Sequence, residues 1–354
     1  LEELLALLPG PVVPHDVVLT AAIGQVSART LIAPGPLPIR PYATTDGWAV
    51  TAANTLGAGP YSPAELPNGA TLLRIGETLP SGADAILPDW ALLREPSPGA
   101  IEPVAPGEGV RLCGGDVAAG ALLCREGERL RATSLPALLS FGFETVSVRR
   151  PRVALIRCGD ARAEAPMHDK LARFLAALLE DSGASPISRA PMPASLLPAA
   201  LAHAAAGADL VVLLGDEHCA GSLAEAGRIV VHGLGARPGA SVGFGVVADV
   251  PVVLPSERWD DAYAAWLMLI RPAVRLLSGA AVPDPLRARL TRKLVSLVGV
   301  LDIALVRRVG PGLVEPLIVG EVTPGALAAA DAVLMIAPSS EGFDAGTEVD
   351  LQPL

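Results

Sequence analysis

Thr44-Thr45-Asp46-Gly47-Trp48-Ala49-Val50 is the stretch whose reading decides the fold of this chain. It follows Pro34-Gly35-Pro36-Leu37-Pro38-Ile39-Arg40-Pro41. Prolines fix φ and disfavour helix, so the chain reaches the motif extended and stiff. Asp-Gly signals a turn, and Trp48-Ala49-Val50 opens a strand-like apolar run. One carboxylate, Asp46, is thereby held at a sharp turn between rigid segments. Taken alone, the stretch reads as an ordinary hairpin turn with Asp46 as its turn-former.

Outward from that turn, residues 34–117 are short apolar runs broken by Gly, Pro, Asn and Ser, the pattern of a β domain. Leu1 to Leu8 carries apolar residues at helical spacing and stops at Pro9-Gly10. Val17 to Leu31 reads as a strand and a small helix around Ala21-Ala28, and Ser134-Leu139 as a short helix. The grammar changes at Arg152. Val153-Ala154-Leu155-Ile156, Asp209-Leu214 and Val252-Val253-Leu254 are continuous apolar strands. Between and after them lie helical patterns at His168–Asp181, at Ser195–Ala206 with Ser195 as N-cap, and at Asp260–Leu277. Alternating strands and helices predict a parallel α/β sheet with helices on both faces. After Pro283-Asp284-Pro285, residues 287–354 alternate as strands, with turns at Gly310-Pro311-Gly312 and Glu341-Gly342.

Composition narrows the function classes. A chain of 354 residues predicts several domains. Net charge is −10, which argues against nucleic acid as a partner. Aromatic residues are 3%, too few for a base-stacking surface. Cys113, Cys124, Cys158 and Cys219 lie far apart without a CxxC pair, as expected of reduced thiols. The five histidines show no metal-ligand spacing. No apolar run reaches membrane-spanning length and no signal peptide is visible, so a cytoplasmic location without membrane contact is expected.

Four segments together resemble the MoeA/gephyrin E-domain family, the molybdopterin molybdotransferases. They are the 44–50 motif, Ile75-Gly76-Glu77-Thr78-Leu79-Pro80-Ser81-Gly82-Ala83-Asp84-Ala85, Gly109–Val117, and Arg150–Ile156 followed by Cys158-Gly159-Asp160. The resemblance implies a multi-domain α/β plus β fold. An α/β molybdopterin-binding domain would comprise 1–11 and 151–282. A connecting domain would comprise 12–33 and 118–150, an inserted β domain 34–117, and a C-terminal β-barrel-like domain 283–354. It implies an elongated homodimer and insertion of molybdate into adenylylated molybdopterin with release of AMP, with Mg2+ as the divalent cation.

In open α/β sheets ligands bind beyond the carboxyl ends of the strands, here at 158–160, 215–218 and 255–258. The resemblance assigns Asp46, Asp116 and Asp160 to catalysis, with Asp46 and Asp116 also holding the metal. Oxygen ligands suit a hard cation. Gly215, His218, Arg237, Gly239 and Asp169 are assigned to the cofactor site. By themselves Asp116 reads as a turn residue, Asp160 as a helix cap, Arg237 as surface and His218 as loop polarity. Several family positions have changed. Asp216 and Glu217 stand where the family has neutral backbone, Gly221-Ser222-Leu223 replaces acidic residues, and Ala161 and Ala240 replace a glutamate and a lysine. Two like unit charges about 5 Å apart at an effective dielectric near 20 repel by ~3 kcal/mol. The expectation is molybdate insertion that is reduced or lost relative to a motif-complete chain. The alternative is a degenerate paralogue acting as a pterin-binding or protein-binding scaffold.

Overall fold

The computed structural model describes residues 2–67, 69–95, 97–159, 166–215 and 218–354. The chain divides into two compact units. One holds Leu1–Arg29, Glu126–Ala132 and Thr145–Leu354, and the other Thr30–Arg125 and Thr133–Glu144.

The first unit is built on a six-stranded sheet. In spatial order its strands are Ser185–Ser188, Arg152–Arg157, Leu210–Leu214, Val250–Leu254, Gly243–Val247 and Arg228–His232. Side chains alternate across the sheet. Val153, Leu155, Val212 and Leu214 face Leu171, Leu175 and Leu179 of helix Pro166–Asp181. Ala154, Ile156, Val211 and Leu213 face Leu197 and Leu201 of helix Leu197–Ala205, and Leu223 of helix His218–Ala226. Period-2 alternation thus explains helices on both faces. Leu4 of helix Glu2–Ala6 is fully buried in the first of these cores.

The sheet is mixed, which corrects the parallel reading. The first four strands pair in parallel, and the last two return antiparallel through Gly243–Val247. Val247 pairs with Val250, so Ala248-Asp249 is a two-residue hairpin loop with φ of 48° and 65°. That turn normally selects Asn-Gly or Asp-Gly, and Ala-Asp does not announce it.

Three other segments also depart from expectation. The helix around Ala21–Ala28 is one 3-10 turn, Leu19–Ala22, followed by strand Val26–Ser27. Ser195 lies in the 3-10 turn Ala194–Leu196 and does not cap the α-helix, which starts at Leu197. Residues 218–223, read as part of a loop, lie in helix His218–Ala226.

The C-terminal strands close into a five-stranded barrel. Leu301–Gly310 pairs with Leu313–Val319, that strand with Leu286–Leu290, Leu286–Leu290 with Glu348–Pro353, and Glu348–Pro353 with Ala332–Ile336, which returns to Leu301–Gly310. Closure removes exposed strand edges. Ala304, Val306, Leu334, Ile336 and Leu351 fill the barrel core, while Ile303, Leu305 and Val333 belong to the core of the α/β sheet. Alternation along the barrel strands thus serves two cores.

In the second unit, Gly47–Val50 is the central strand between Thr71–Leu73 and Ala85–Leu87. A Cβ on Gly47 would sit 2.6 Å from both Ile86 Cγ2 and the Leu87 carbonyl. The Asp-Gly pair is therefore fixed by strand approach as well as by the turn. Among the described residues no helix is long and apolar enough to cross a membrane.

Candidate functional site

The parallel strands of the α/β sheet end together at a pocket of about 590 Å³, within the range of small-molecule sites. Its lining includes Gly215, Cys219, His232, Ser241, Ser256, Glu257 and Arg258. Gly215 follows strand Leu210–Leu214 and precedes helix His218–Ala226. A Cβ there would lie 2.4 Å from Cys219 Sγ and 2.5 Å from Cys158 Cβ. Only glycine fits this passage, which is where backbone can approach a ligand closely.

The second wall comes from the turn after strand Val250–Leu254. Ser256 has φ of 69°, unusual for a residue with a side chain. Arg258 donates from Nε and Nη2 to both carboxylate oxygens of Asp260, at 2.9 and 2.5 Å. Burial pushes the Asp260 carboxyl up, but the Arg258 hydrogen bonds, the Asp261 backbone N–H and the Arg258 charge outweigh it. The net pKa lies below the ordinary value, and that of Arg258 lies above its own.

Asp261 is 4% exposed, and its carboxyl accepts hydrogen bonds from the Ser256 hydroxyl and the Gly239 backbone. It ties the strand-end turn to the Arg237-Pro238-Gly239 loop, whose Arg237-Pro238 bond is cis. Burial and then the Asp260 charge raise its pKa, against the pull of Ser256, Arg258 and Gly239. A carboxyl with a raised native value stabilises the fold below its ordinary value of 3.8 and loses that contribution as pH rises through the native value. Asp261→Asn keeps an acceptor for both donors and removes the charge. At neutral pH its unfolding free energy is expected to equal or exceed that of the wild type, whereas in acid the wild type gains on the variant. Urea unfolding at both pH values checks this. A loss above about 2 kcal/mol at neutral pH would contradict it.

The fold is matched over its full length. A molybdopterin biosynthesis MoeA protein from Pyrococcus horikoshii superimposes with a TM-score of 0.77 at 24% identity, covering 100% of this chain and 99% of that one. A family model for the MoeA N-terminal region, domains I and II, matches residues 1–142. Molybdopterin molybdenumtransferase 2 of Mycobacterium tuberculosis is 29% identical over 324 aligned positions, covering 77% of this chain and 77% of that one. These similarities support membership of the MoeA family. A putative molybdopterin biosynthesis protein of Methanocaldococcus jannaschii is 24% identical over 374 aligned positions, covering 95% of this chain and 91% of that one.

The residues that resemble the MoeA site lie in different places. Gly215 lines the pocket, and Gly239 reaches its wall through Asp261. Asp169 and Arg237 are engaged in ion pairs. Asp169 accepts from Arg157 at 2.5 Å and Arg173 at 2.8 Å. Arg237 grips the buried Asp302 with two bonds of 2.8 Å. His218 is exposed as the first residue of its helix, and its carbonyl accepts from Ser222 Oγ at 3.2 Å.

Asp46 and Asp116 belong to the second unit. The Asp46 carboxylate accepts the Ile75 N–H at 2.8 Å, and Asp116 pairs with Arg111 at 3.2 Å. Tyr42 and Ala43 pair antiparallel with Arg111 and Val110. The chain runs from this ribbon to Asp46 in one direction and to Asp116 in the other. Among the described residues no group of three or more His, Cys, Asp or Glu is placed to hold a metal ion. Asp160, with Ala161, Asp216 and Glu217, lies outside the described residues.

Sequence reasoning placed Ser256 in the strand-end loop at 255–258, but it missed Asp261 and Ser241 and the contact between His168 and Glu257. Glu257 stood in a strand-end loop and His168 at a helix start, but 89 positions separate them and no local pattern joins them.

Proposed function

We propose that this chain acts in molybdenum cofactor biosynthesis as a molybdopterin molybdenumtransferase, binding molybdopterin in the pocket at the ends of the parallel strands. The observation that carries this reading is that pocket. It sits where α/β folds bind ligands, and a glycine passage and Ser241 give it small neutral donors suited to a phosphate. Adenylylated molybdopterin and molybdate are the substrates, and AMP is the leaving product. Magnesium is proposed only as a partner of Asp46 and Asp116. Its binding would require Arg111 to release Asp116, and no step here depends on it.

Calorimetric titration with molybdopterin tests the binding half of the reading. Saturable binding by the wild-type chain is expected, and no heat at any concentration up to the millimolar range would defeat it.

The active assembly is proposed to be a homodimer in the cytoplasm. Sedimentation at micromolar concentration is expected to give twice the 36.1 kDa chain mass, and a monomer there would refute the dimer.

A further inference from the structure

Glu257 carries a hydrogen-bonding pattern that the transferase reading does not use. Its Oε1 lies 2.7 Å from His168 Nε2, and His168 Nδ1 lies 3.0 Å from the Cys158 carbonyl oxygen. A carbonyl can only accept, so Nδ1 carries a proton. An ionised carboxylate can also only accept, so the 2.7 Å contact needs one proton between Nε2 and Oε1.

The pair is also oriented. The His168 side chain is 13% exposed and the Glu257 side chain 46%, so the imidazole forms the back and the carboxylate meets the pocket. Helix Pro166–Asp181 supplies the histidine from its first turn, and the Cys158 carbonyl at the end of the neighbouring strand fixes its ring. The other charged side chain of that wall, Arg258, is held on both sides by Asp260.

We propose that Glu257 is the proton-transfer group of this pocket, acting on a phosphoanhydride substrate, and that His168 is its positioning residue. This rests on the transferase reading and adds to it the group that activates the nucleophile. Water attacks the phosphorus of the anhydride. A new O–P bond forms while the bridging P–O bond breaks, and its electron pair leaves on the departing phosphate oxygen. The Glu257 carboxylate takes the water proton and later gives it to solvent. No oxidant or reductant is needed. The Ser241 hydroxyl on the same lining is available to meet a phosphate oxygen.

The test is steady-state AMP release from adenylylated molybdopterin with molybdate, using the full chain. Glu257→Gln is expected to lower kcat about 100-fold with KM within about threefold of the wild type. Glu257→Asp keeps a carboxylate and should recover at least part of that loss. His168→Ala should lower kcat about tenfold, and His168→Gln, which retains a donor toward Oε1, should restore most of it. Thermal unfolding near the wild-type temperature establishes that each variant is folded, and Glu257→Asp carries the comparison if Glu257→Gln is not. A Glu257→Gln chain with wild-type kcat overturns this inference alone. So does equal loss in His168→Ala and His168→Gln. A wild-type chain that releases no AMP overturns both this inference and the transferase reading.

Discussion

Arg237→Ala is expected to destabilise the first unit by about 1–3 kcal/mol, the cost of leaving a buried carboxylate short of its half-exposed hydrogen-bond partner. The reason is the carboxylate left behind. Asp302 is fully buried on a barrel strand and accepts both Arg237 nitrogens, Ser296 Oγ at 2.7 Å and the Leu297 N–H at 3.0 Å. Ala236-Arg237 pairs in parallel with Leu301-Asp302, so this fork joins the loop beside the pocket to the barrel. Burial alone would raise the Asp302 pKa, but the bonds from Arg237, Ser296 and Leu297 hold it below the ordinary 3.8. A carboxyl with a depressed native value stabilises the fold above 3.8 and loses that contribution as pH falls through the native value. Arg237→Ala should therefore unfold at a higher pH on acid titration as well as at lower urea. Arg237→Lys keeps the charge without the fork and should fall between. Urea unfolding at neutral pH is the measurement. A change below about 1 kcal/mol would contradict the clamp and return Arg237 to a phosphate-contacting role.

Gly215→Val is expected to cost about 1–3 kcal/mol by overpacking and to remove pocket binding as well. The Cβ would meet Cys219 Sγ at 2.4 Å and Cys158 Cβ at 2.5 Å. The sulfur sits at the end of a side chain and can turn away. The Cys158 Cβ is attached to backbone at the strand end and can move only with it. That backbone also carries the carbonyl that orients His168, so the disturbance reaches Glu257. Gly221→Ala is the control. Nothing lies within 4 Å of its added Cβ, and Gly221 stands inside helix His218–Ala226. Alanine there should raise stability by up to about 1 kcal/mol through helix propensity and leave binding unchanged. Urea unfolding paired with pterin titration reads both effects. Binding retained in Gly215→Val would detach this turn from the site.

Much of the α/β half is legible because its signals are local. Leu171, Leu175 and Leu179 recur at helical spacing, and Val153–Ile156 and Leu210–Leu214 are apolar throughout. The antiparallel half is not, because Ala248-Asp249 makes a hairpin turn without the glycine or asparagine that usually marks one. Helix His218–Ala226 is hidden by Gly221 and Ser222, poor helix formers that tertiary packing of Cys219 and Leu223 overrides. Helix Pro324–Ala329 was readable from Thr323-Pro324, since Thr323 Oγ1 accepts the Ala326 N–H at 3.2 Å, but the alternating strand pattern drew the reading. In the site, glycine positions are visible from the resemblance, while charge partners are not. Arg237 meets Asp302 across 65 positions and His168 meets Glu257 across 89, separations that only the closed fold spans.

The most direct test is to supply the purified chain with adenylylated molybdopterin and molybdate and to follow AMP release together with molybdenum-loaded cofactor. The account predicts that both appear in equal amounts and that both require Glu257. Binding of the pterin without release of AMP, under conditions where a motif-complete MoeA protein turns over, would contradict the transferase assignment and leave a pterin-binding scaffold in its place.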